Sequence, residues 1–298
     1  MTHPFLPDRP VNEALSQHQL SQGGLPLRAQ RRIHELNASG RPVFTSTLST
    51  SETVVARATG LSPISQVMGS SVFHVGIRGY TGWTGGELTA LTLAYDRARA
   101  LALSRMQQEA LQLGAHLVID TRFLGSGYDW AEDLIEFTAV GTAVRLDGQP
   151  PPQMPALTLL KADELYKLHK AGYWPVAIAM GNCFFYARHA DCAGEGSYFS
   201  SELPVHTQAS QVARDLAVQR FRAFAAHFGA NGVVGVKIQR SARDHEYESG
   251  GSRHTAFSLD LVMMGTAVVR RGQPETPPRP PVVVDLRDSP ARFGKHGY

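Results

Sequence analysis

The sequence GLSPISQVMGSSVF at residues 60–73 returns as GYWPVAIAMGNCFF at residues 172–185, 112 positions later. Two further motifs are repeated, and the number of residues between the two copies increases along the chain. The pair Gly-Ala at 114–115 returns 115 positions later, and Gly-Thr-Ala-Val at 141–144 returns 124 positions later. Such length differences collect in surface loops. Because a solenoid generally needs at least three repeats, two copies predict two small domains.

Proline-rich and mixed polar segments mark the boundaries around the two copies. DGQPPPQMPAL at 147–157 predicts a stiff, extended spacer, and the chain after residue 271 contains five prolines before residue 282. We therefore predict five segments in chain order: an N-terminal arm (1–46), a first repeat (47–146), a linker (147–158), a second repeat (159–271) and a proline-rich tail (272–298).

Each repeat shows the same order of elements. A short helix ends at Gly60 or Gly172, the residue type that favours a left-handed helix cap, and a β-prone segment follows. A long helix comes next, at about 88–113 and 207–228, and then a strand, a hairpin and a last strand ending in Gly-Thr-Ala-Val. The fold class is α+β, with a three-stranded antiparallel sheet covered by one long helix in each repeat.

The last strands lack the alternation of a half-exposed strand. LVMMGTAVV at 261–269 is apolar at positions of both parities, and 137–144 is nearly so. One helix covers only one face of a sheet, so the second face must be buried as well, against the sister repeat or against another chain. The two such faces of one chain either bury each other or contribute to a larger ring.

The composition and charge of the chain argue against several classes of protein. The chain has 298 residues, 43% of them hydrophobic and 18% charged, and a net charge of +3. The arginines concentrate towards the two ends, which makes nucleic acid an unlikely partner. No apolar run has the length of a membrane span, no secretory signal is evident, and two cysteines do not make a disulfide framework. We therefore expect a cytoplasmic protein.

The motifs MGSSVFHVG (68–76), the alanine-rich helix ending in LGAHLV (113–118) with its counterpart FGANGVV (228–234), and the closing Gly-Thr-Ala-Val resemble the bacterial YbjQ-like family. This family carries the label putative heavy-metal-binding. The resemblance implies dodecin-like β-α-β-β modules that assemble into rings, typically pentamers, with strands pairing between neighbours. It implies no established enzymatic activity.

Two groups of residues are candidates for ligand binding. Four potential ligands for zinc or copper fall within ten residues of the second repeat: Cys183, His189, Asp191 and Cys192. A buried cysteine beside ordinary loop residues is the simpler interpretation, because Ser71 occupies the place of Cys183 in the first repeat. The glycine-rich loop of the first repeat carries residues suited to a planar or anionic ligand, although an ordinary loop is again simpler: Arg78, Tyr80 and Trp83.

No nucleophile and base, or pair of carboxylates, is arranged as catalysis requires. The leading hypothesis is a non-enzymatic homo-oligomer, with a pentameric ring favoured, that binds a metal or small ligand at its strand-to-helix loops. The alternative is a metal-dependent enzyme or metal carrier that uses the Cys/His/Asp loop of the second repeat. A basic adaptor for membranes or nucleic acid is a weaker hypothesis.

Overall fold

The computed structural model describes residues 12–38, 45–75, 85–129, 134–188, 202, 204–249 and 252–273. Before the first repeat lie two helices, α1 (Glu13–Ser21) and α2 (Leu27–Ala38). The side chain of Asn12 caps α1, and Leu25 and Ile33 are buried against the rest of the protein. The N-terminal arm is therefore packed on the first repeat over this stretch.

Over its described residues, the first repeat contains two helices and four strands. They are α3 (Thr50–Ala58), β1 (Leu61–His74), β2 (Gly86–Glu87), α4 (Thr89–Gln112), β3 (Leu117–Asp129) and β4 (Leu134–Leu146). A capping box between Ser49 and Glu52 starts α3, and Gly60, with φ of 77°, allows the chain to turn into β1.

The second repeat has the same order of long elements. It consists of α5 (Ala162–Lys170), β6 (Tyr173–Arg188), α6 (Pro204–His227), β7 (Gly232–Ser249) and β8 (Ser252–Arg270), and the two-residue strand β5 (Ala156–Leu157) precedes it. Gly172 follows α5 with φ of 80°, as Gly60 follows α3. The predicted order of short helix, strand, long helix and two further strands is confirmed in both repeats.

Each sheet has four strands rather than the predicted three, because each receives a short strand from outside its own repeat. The sheet orders are β1-β4-β3-β5 and β2-β6-β8-β7. The strand β5 pairs in parallel with β3, and β2 pairs antiparallel with β6. The long strands within each sheet are antiparallel, so the α+β fold class is confirmed. The exchange of β2 and β5 joins the two repeats through backbone hydrogen bonds.

Each long helix lies directly on its sheet. A Cβ atom added at Gly69 would overlap the carbonyl oxygen of Ala102 on α4, and one added at Gly181 would overlap the carbonyl oxygen of Ala217 on α6. Buried alanines form a row along α4 and along α6, and each row faces a glycine on the strand below.

The helix α4 is buried between the two sheets. One of its sides packs on β1 and β4, and the other contacts the face of β6 and β8 that carries Met180, Phe184 and Val262. The second face of the last strand β8 is thus buried against the sister repeat, which confirms that part of the prediction. Among the described residues, no helix is long and apolar enough to cross a membrane.

Candidate functional site

Of the proposed metal-ligand cluster, Cys183 alone lies in the described part of the chain. Cys183 is a free, fully buried cysteine on β6. Loss of solvation on burial, with a smaller contribution from the Glu87 carboxylate, raises the pKa of its thiol to about 12. Metal binding requires the thiolate, so a metal at Cys183 would have to displace the proton of this buried thiol. Within the described ranges, no three His, Cys, Asp or Glu side chains come together as a metal site.

The other candidate residues lie outside the described part of the chain. These are His189, Asp191 and Cys192 of the proposed metal cluster, and Arg78, Tyr80 and Trp83 of the glycine-rich loop. Their roles as ligands therefore stay predictions.

The most elaborate arrangement of polar groups lies where the two repeats meet. The segment 156–160, which includes the end of the linker and the start of the second repeat, runs beside β3 of the first repeat. The Thr158 amide donates to the Val118 carbonyl (2.9 Å), and the Asp120 amide donates to the Leu160 carbonyl (2.8 Å). The buried Oγ1 of Thr158 lies 3.0 Å from that of Thr266 in β8. This segment therefore connects the sheet of one repeat to the sheet of the other.

The same local structure precedes the first repeat. Thr266 accepts the Leu159 amide at 3.1 Å, and Thr142, its counterpart in the first repeat, accepts the Thr47 amide at 2.9 Å. The Oγ of Ser46 lies 3.1 Å from that of Thr142, as Thr158 lies beside Thr266. The segment starting at Thr45 is therefore built like the connecting segment 156–160.

A second set of contacts joins the start of α4 to the outer edge of β6. The Leu88 amide donates to the Phe184 carbonyl (2.7 Å), and the Phe184 amide donates to Oγ1 of Thr92 (3.2 Å). Arg220 of α6 donates to the Asn182 carbonyl (2.9 Å) and forms an ion pair with Glu87 (2.7 Å). These contacts hold β2 and α4 of the first repeat on the second repeat.

The buried charge at this junction is Arg99 of α4. Its side chain is 0% exposed, and its Nη2 contacts Asp96 at 2.9 Å and the Asn182 side chain at 3.1 Å. Desolvation lowers the pKa of Arg99, with Asp96 opposing that shift. Arg99 of α4 is thus held beside Asn182 of β6 by a hydrogen bond within a closely packed junction.

The counterparts of these contacts in the second repeat face solvent in the single chain. By the offset of 115 residues, Val236 of β7 corresponds to Thr121 of β3, and Arg214 of α6 corresponds to Arg99. Val236 is 44% exposed whereas Thr121 is 3% exposed, and Arg214 is exposed whereas Arg99 is fully buried. The second repeat thus presents surfaces like those that the first repeat buries against it.

Comparisons with known proteins match the first repeat and, in one relative, most of the chain. A family model described as "Putative heavy-metal-binding" matches residues 43–147. The "Encapsulin nanocompartment protein Rv1762c" of Mycobacterium tuberculosis is 35% identical over 261 residues, covering 84% of this chain and 93% of that protein.

Shorter relatives match one part of the chain. A UPF0145 protein of Acinetobacter baylyi is 38% identical over 28% of this chain and 82% of its own length, and one of Archaeoglobus fulgidus is 38% identical over 33% of this chain and 94% of its own length. No solved structure gives a significant match. The fold and its junction define a tandem α+β protein built from two like repeats. It belongs to the YbjQ-like family, as the sequence motifs predicted.

Sequence analysis missed the residues that join the repeats. Arg105 and Arg220 occupy equivalent positions on the long helices, and Glu87 and Glu202 occupy equivalent positions before them. The sequence repeat predicts these equivalences. The offset of 115 residues that aligns the buried alanines of α4 and α6 also aligns these charged residues.

Proposed function

We propose that this protein is a non-enzymatic building block of a homo-oligomer, in which a second molecule adds its segment 45–58 to the open edge of β7. The observation that carries the proposal is the contrast between β3 and β7. Residues 117–121 of β3 are buried, whereas Val236 and Ile238 of β7 are 44% and 60% exposed. An exposed strand edge with apolar side chains is a template for pairing with another chain.

The segment 45–58 suits the open edge because its equivalent already occupies β3. Segment 156–160 hydrogen-bonds to β3, and α5 packs beside α3 over Leu117 and Ile119 in one apolar cluster. The segment at 45–48 is anchored to Thr142 in the way that 157–160 is anchored to Thr266. A second molecule can therefore offer β7 what the second repeat offers β3.

This contact joins two different surfaces, so it is head-to-tail. Such contacts close into rings when the rotation between units allows it, and otherwise continue as filaments. We favour a ring, with five chains and dodecin-like repeats as the specific prediction from the family resemblance. The name of the mycobacterial relative, an encapsulin nanocompartment protein, supports participation in a larger assembly.

Metal or small-ligand binding is a secondary part of the proposal. It rests on the family's description and on two predicted sets of residues: Arg78, Tyr80 and Trp83, and Cys183 with His189, Asp191 and Cys192. The alternative of a metal-dependent enzyme gains nothing from the junction, which holds ion pairs and packed apolar groups.

Val236→Lys tests the proposal. A lysine on an exposed strand edge opposes pairing with another strand, and the 44% exposure of Val236 leaves room for it in the single chain. We expect association, followed by light scattering across a dilution series, to weaken about tenfold or more. Gln239→Lys is the matched control, because Leu124, its counterpart in β3, is 53% exposed even within the chain. Equal effects of the two substitutions, or a wild-type protein that stays monomeric, would contradict the proposal.

A further inference from the structure

We infer that the outer edge of β1 is a receptor for Glu202 of a second molecule, with Arg105 as the residue that binds its carboxylate. This inference rests on the proposed self-assembly and names a second, separate contact within it. The partner is another copy of this chain, and the chemistry is a carboxylate held by a buried arginine.

The geometry comes from the equivalent site within the chain. Arg220 donates to the carbonyl of Asn182 on β6 and binds the carboxylate of Glu87 at 2.7–2.8 Å. Arg105 stands in the same relation to β1, where it donates to the Ser70 carbonyl at 2.6 Å. In the repeat register Glu202 is the counterpart of Glu87. Among the described residues, Arg105 binds backbone carbonyls and has no carboxylate partner equivalent to Glu87.

Arg105 retains donors for that carboxylate. Besides Ser70 it donates to the carbonyls of Leu20 and Gly24 in the N-terminal arm, at 3.1 and 3.3 Å. These three bonds use three of the five guanidinium N–H donors. Arg105 is only 8% exposed, and among the described residues no acceptor meets the remaining two donors. Burial without a counter-charge lowers its pKa, so a carboxylate there would gain a charge-assisted hydrogen bond.

A cavity of about 280 Å³ opens beside Arg105, between the arm and β1. Its walls include Met68, Ser70 and Glu109 on one side and Arg28 and Arg32 of α2 on the other. Glu109 already receives the Arg32 guanidinium at 2.6 Å and the Met68 amide at 2.9 Å. The cavity thus combines space for a side chain with an excess of positive charge.

The residues that surround Arg105 on β1 and Glu202 before α6 also have counterparts that meet each other within the chain. Phe184, which is 2% exposed, corresponds to Val72, which is 63% exposed on β1. Thr92, which accepts the Phe184 amide, corresponds to Thr207 on α6. In the lone chain Thr207 donates to the Glu202 carboxylate at 2.8 Å, so both residues already lie together at the start of α6. A second molecule would therefore bring Glu202 and Thr207 to β1 as Glu87 and Thr92 come to β6.

Glu202→Arg is the direct test, and Asp215→Arg is its matched control. Both residues are exposed acidic groups before or on α6, but the counterpart of Asp215 is Ala100, which stays exposed at the junction of the repeats. We expect Glu202→Arg to weaken association by about tenfold or more, and Asp215→Arg by less than about twofold. Light scattering over a dilution series measures both, and circular dichroism verifies that the fold is intact.

Hydrogen exchange supplies a second readout. Assembly should slow exchange of the Val72 amide in the wild type, and Glu202→Arg should abolish the slowing. If both substitutions weaken association equally, or if Val72 exchanges at the same rate in single and assembled protein, the inference is overturned. If the wild-type protein assembles and Val236→Lys weakens its association but Glu202→Arg does not, this inference is wrong. The proposed function would still stand in that case. If the wild-type protein does not assemble, both the inference and the proposed function are wrong.

Discussion

The strands β3 and β7 have equivalent places in the two repeats but opposite environments. Thr121 of β3 is 3% exposed beneath segment 156–160, whereas Val236 of β7 is 44% exposed. The backbone is alike, since Asp120 and Gly235 both adopt positive φ, at 51° and 61°. The difference therefore arises from the neighbour each strand receives. The first repeat has the edge of its sheet covered by segment 156–160, whereas β7 at the edge of the second repeat's sheet is exposed in the single chain.

The same contrast holds for the long helices. The helix α4 is covered on two sides by sheets, while α6 packs on one sheet and leaves Arg214 exposed. In a chain that covers its first repeat with its second, one helix face and one strand edge of the second repeat stay exposed, and in a head-to-tail arrangement the first repeat of another copy would cover them. These exposed surfaces are the structural argument for the proposed self-association.

The largest effect is expected at the glycine beneath each helix. The added methyl of Gly69→Ala would overlap the backbone of Ala102, and backbone atoms yield less readily than a flexible side chain. We expect a loss of about 3 to 4 kcal/mol in the free energy of unfolding by denaturant titration. In the open strand, Gly232→Ala meets only an ordinary contact at 3.9 Å and should cost less than about 0.5 kcal/mol. Similar costs at both sites would show that the helix is not in direct contact with the strand.

A smaller effect separates Arg99 from Arg214. Arg99→Ala removes a fully buried side chain, its ion pair with Asp96 and its hydrogen bond to Asn182, so we expect a loss of about 2 to 3 kcal/mol. Arg214→Ala, measured at protein concentrations that keep the chain monomeric, should cost less than about 0.5 kcal/mol. Equal losses would mean that α4 and α6 have the same environment.

The smallest effect concerns the ion pair between the short helices. Lys161 of the second repeat lies 2.6 Å from Glu52 of the first, and this contact, with the capping amide of Ser49, lowers the pKa of Glu52 to about 2. Because the folded pKa lies below the ordinary value of 4.5, this stabilisation is complete above about pH 4.5 and is lost as the pH falls towards 2.

Lys161→Met should raise the pKa of Glu52 towards its ordinary value, as followed by NMR titration. Lys167→Met, which removes a more exposed lysine paired with Asp163, should leave the pKa of Glu52 unchanged. If neither substitution changes the pKa of Glu52, then Lys161 and Glu52 are not in contact and the two short helices do not lie side by side.

The sequence predicted the elements well because the repeat supplied each pattern twice. The alanine rows, the glycines that end α3 and α5, and the two-sided apolar strand β8 each have a local cause that the structure confirms. The exchanged strands β2 and β5 were missed, since a two-residue strand has no periodicity and forms only where a neighbouring edge is free. Arg99 was missed as well, because its sequence context matches that of the exposed Arg214 and only the tertiary arrangement distinguishes them.

The mass of the full-length wild-type protein in dilute solution tests the central claim most directly. The account predicts that light scattering at micromolar concentration gives a multiple of the 32.4 kDa chain mass and that Val236→Lys shifts it towards a single chain. A wild-type mass of one chain across that concentration range would contradict it.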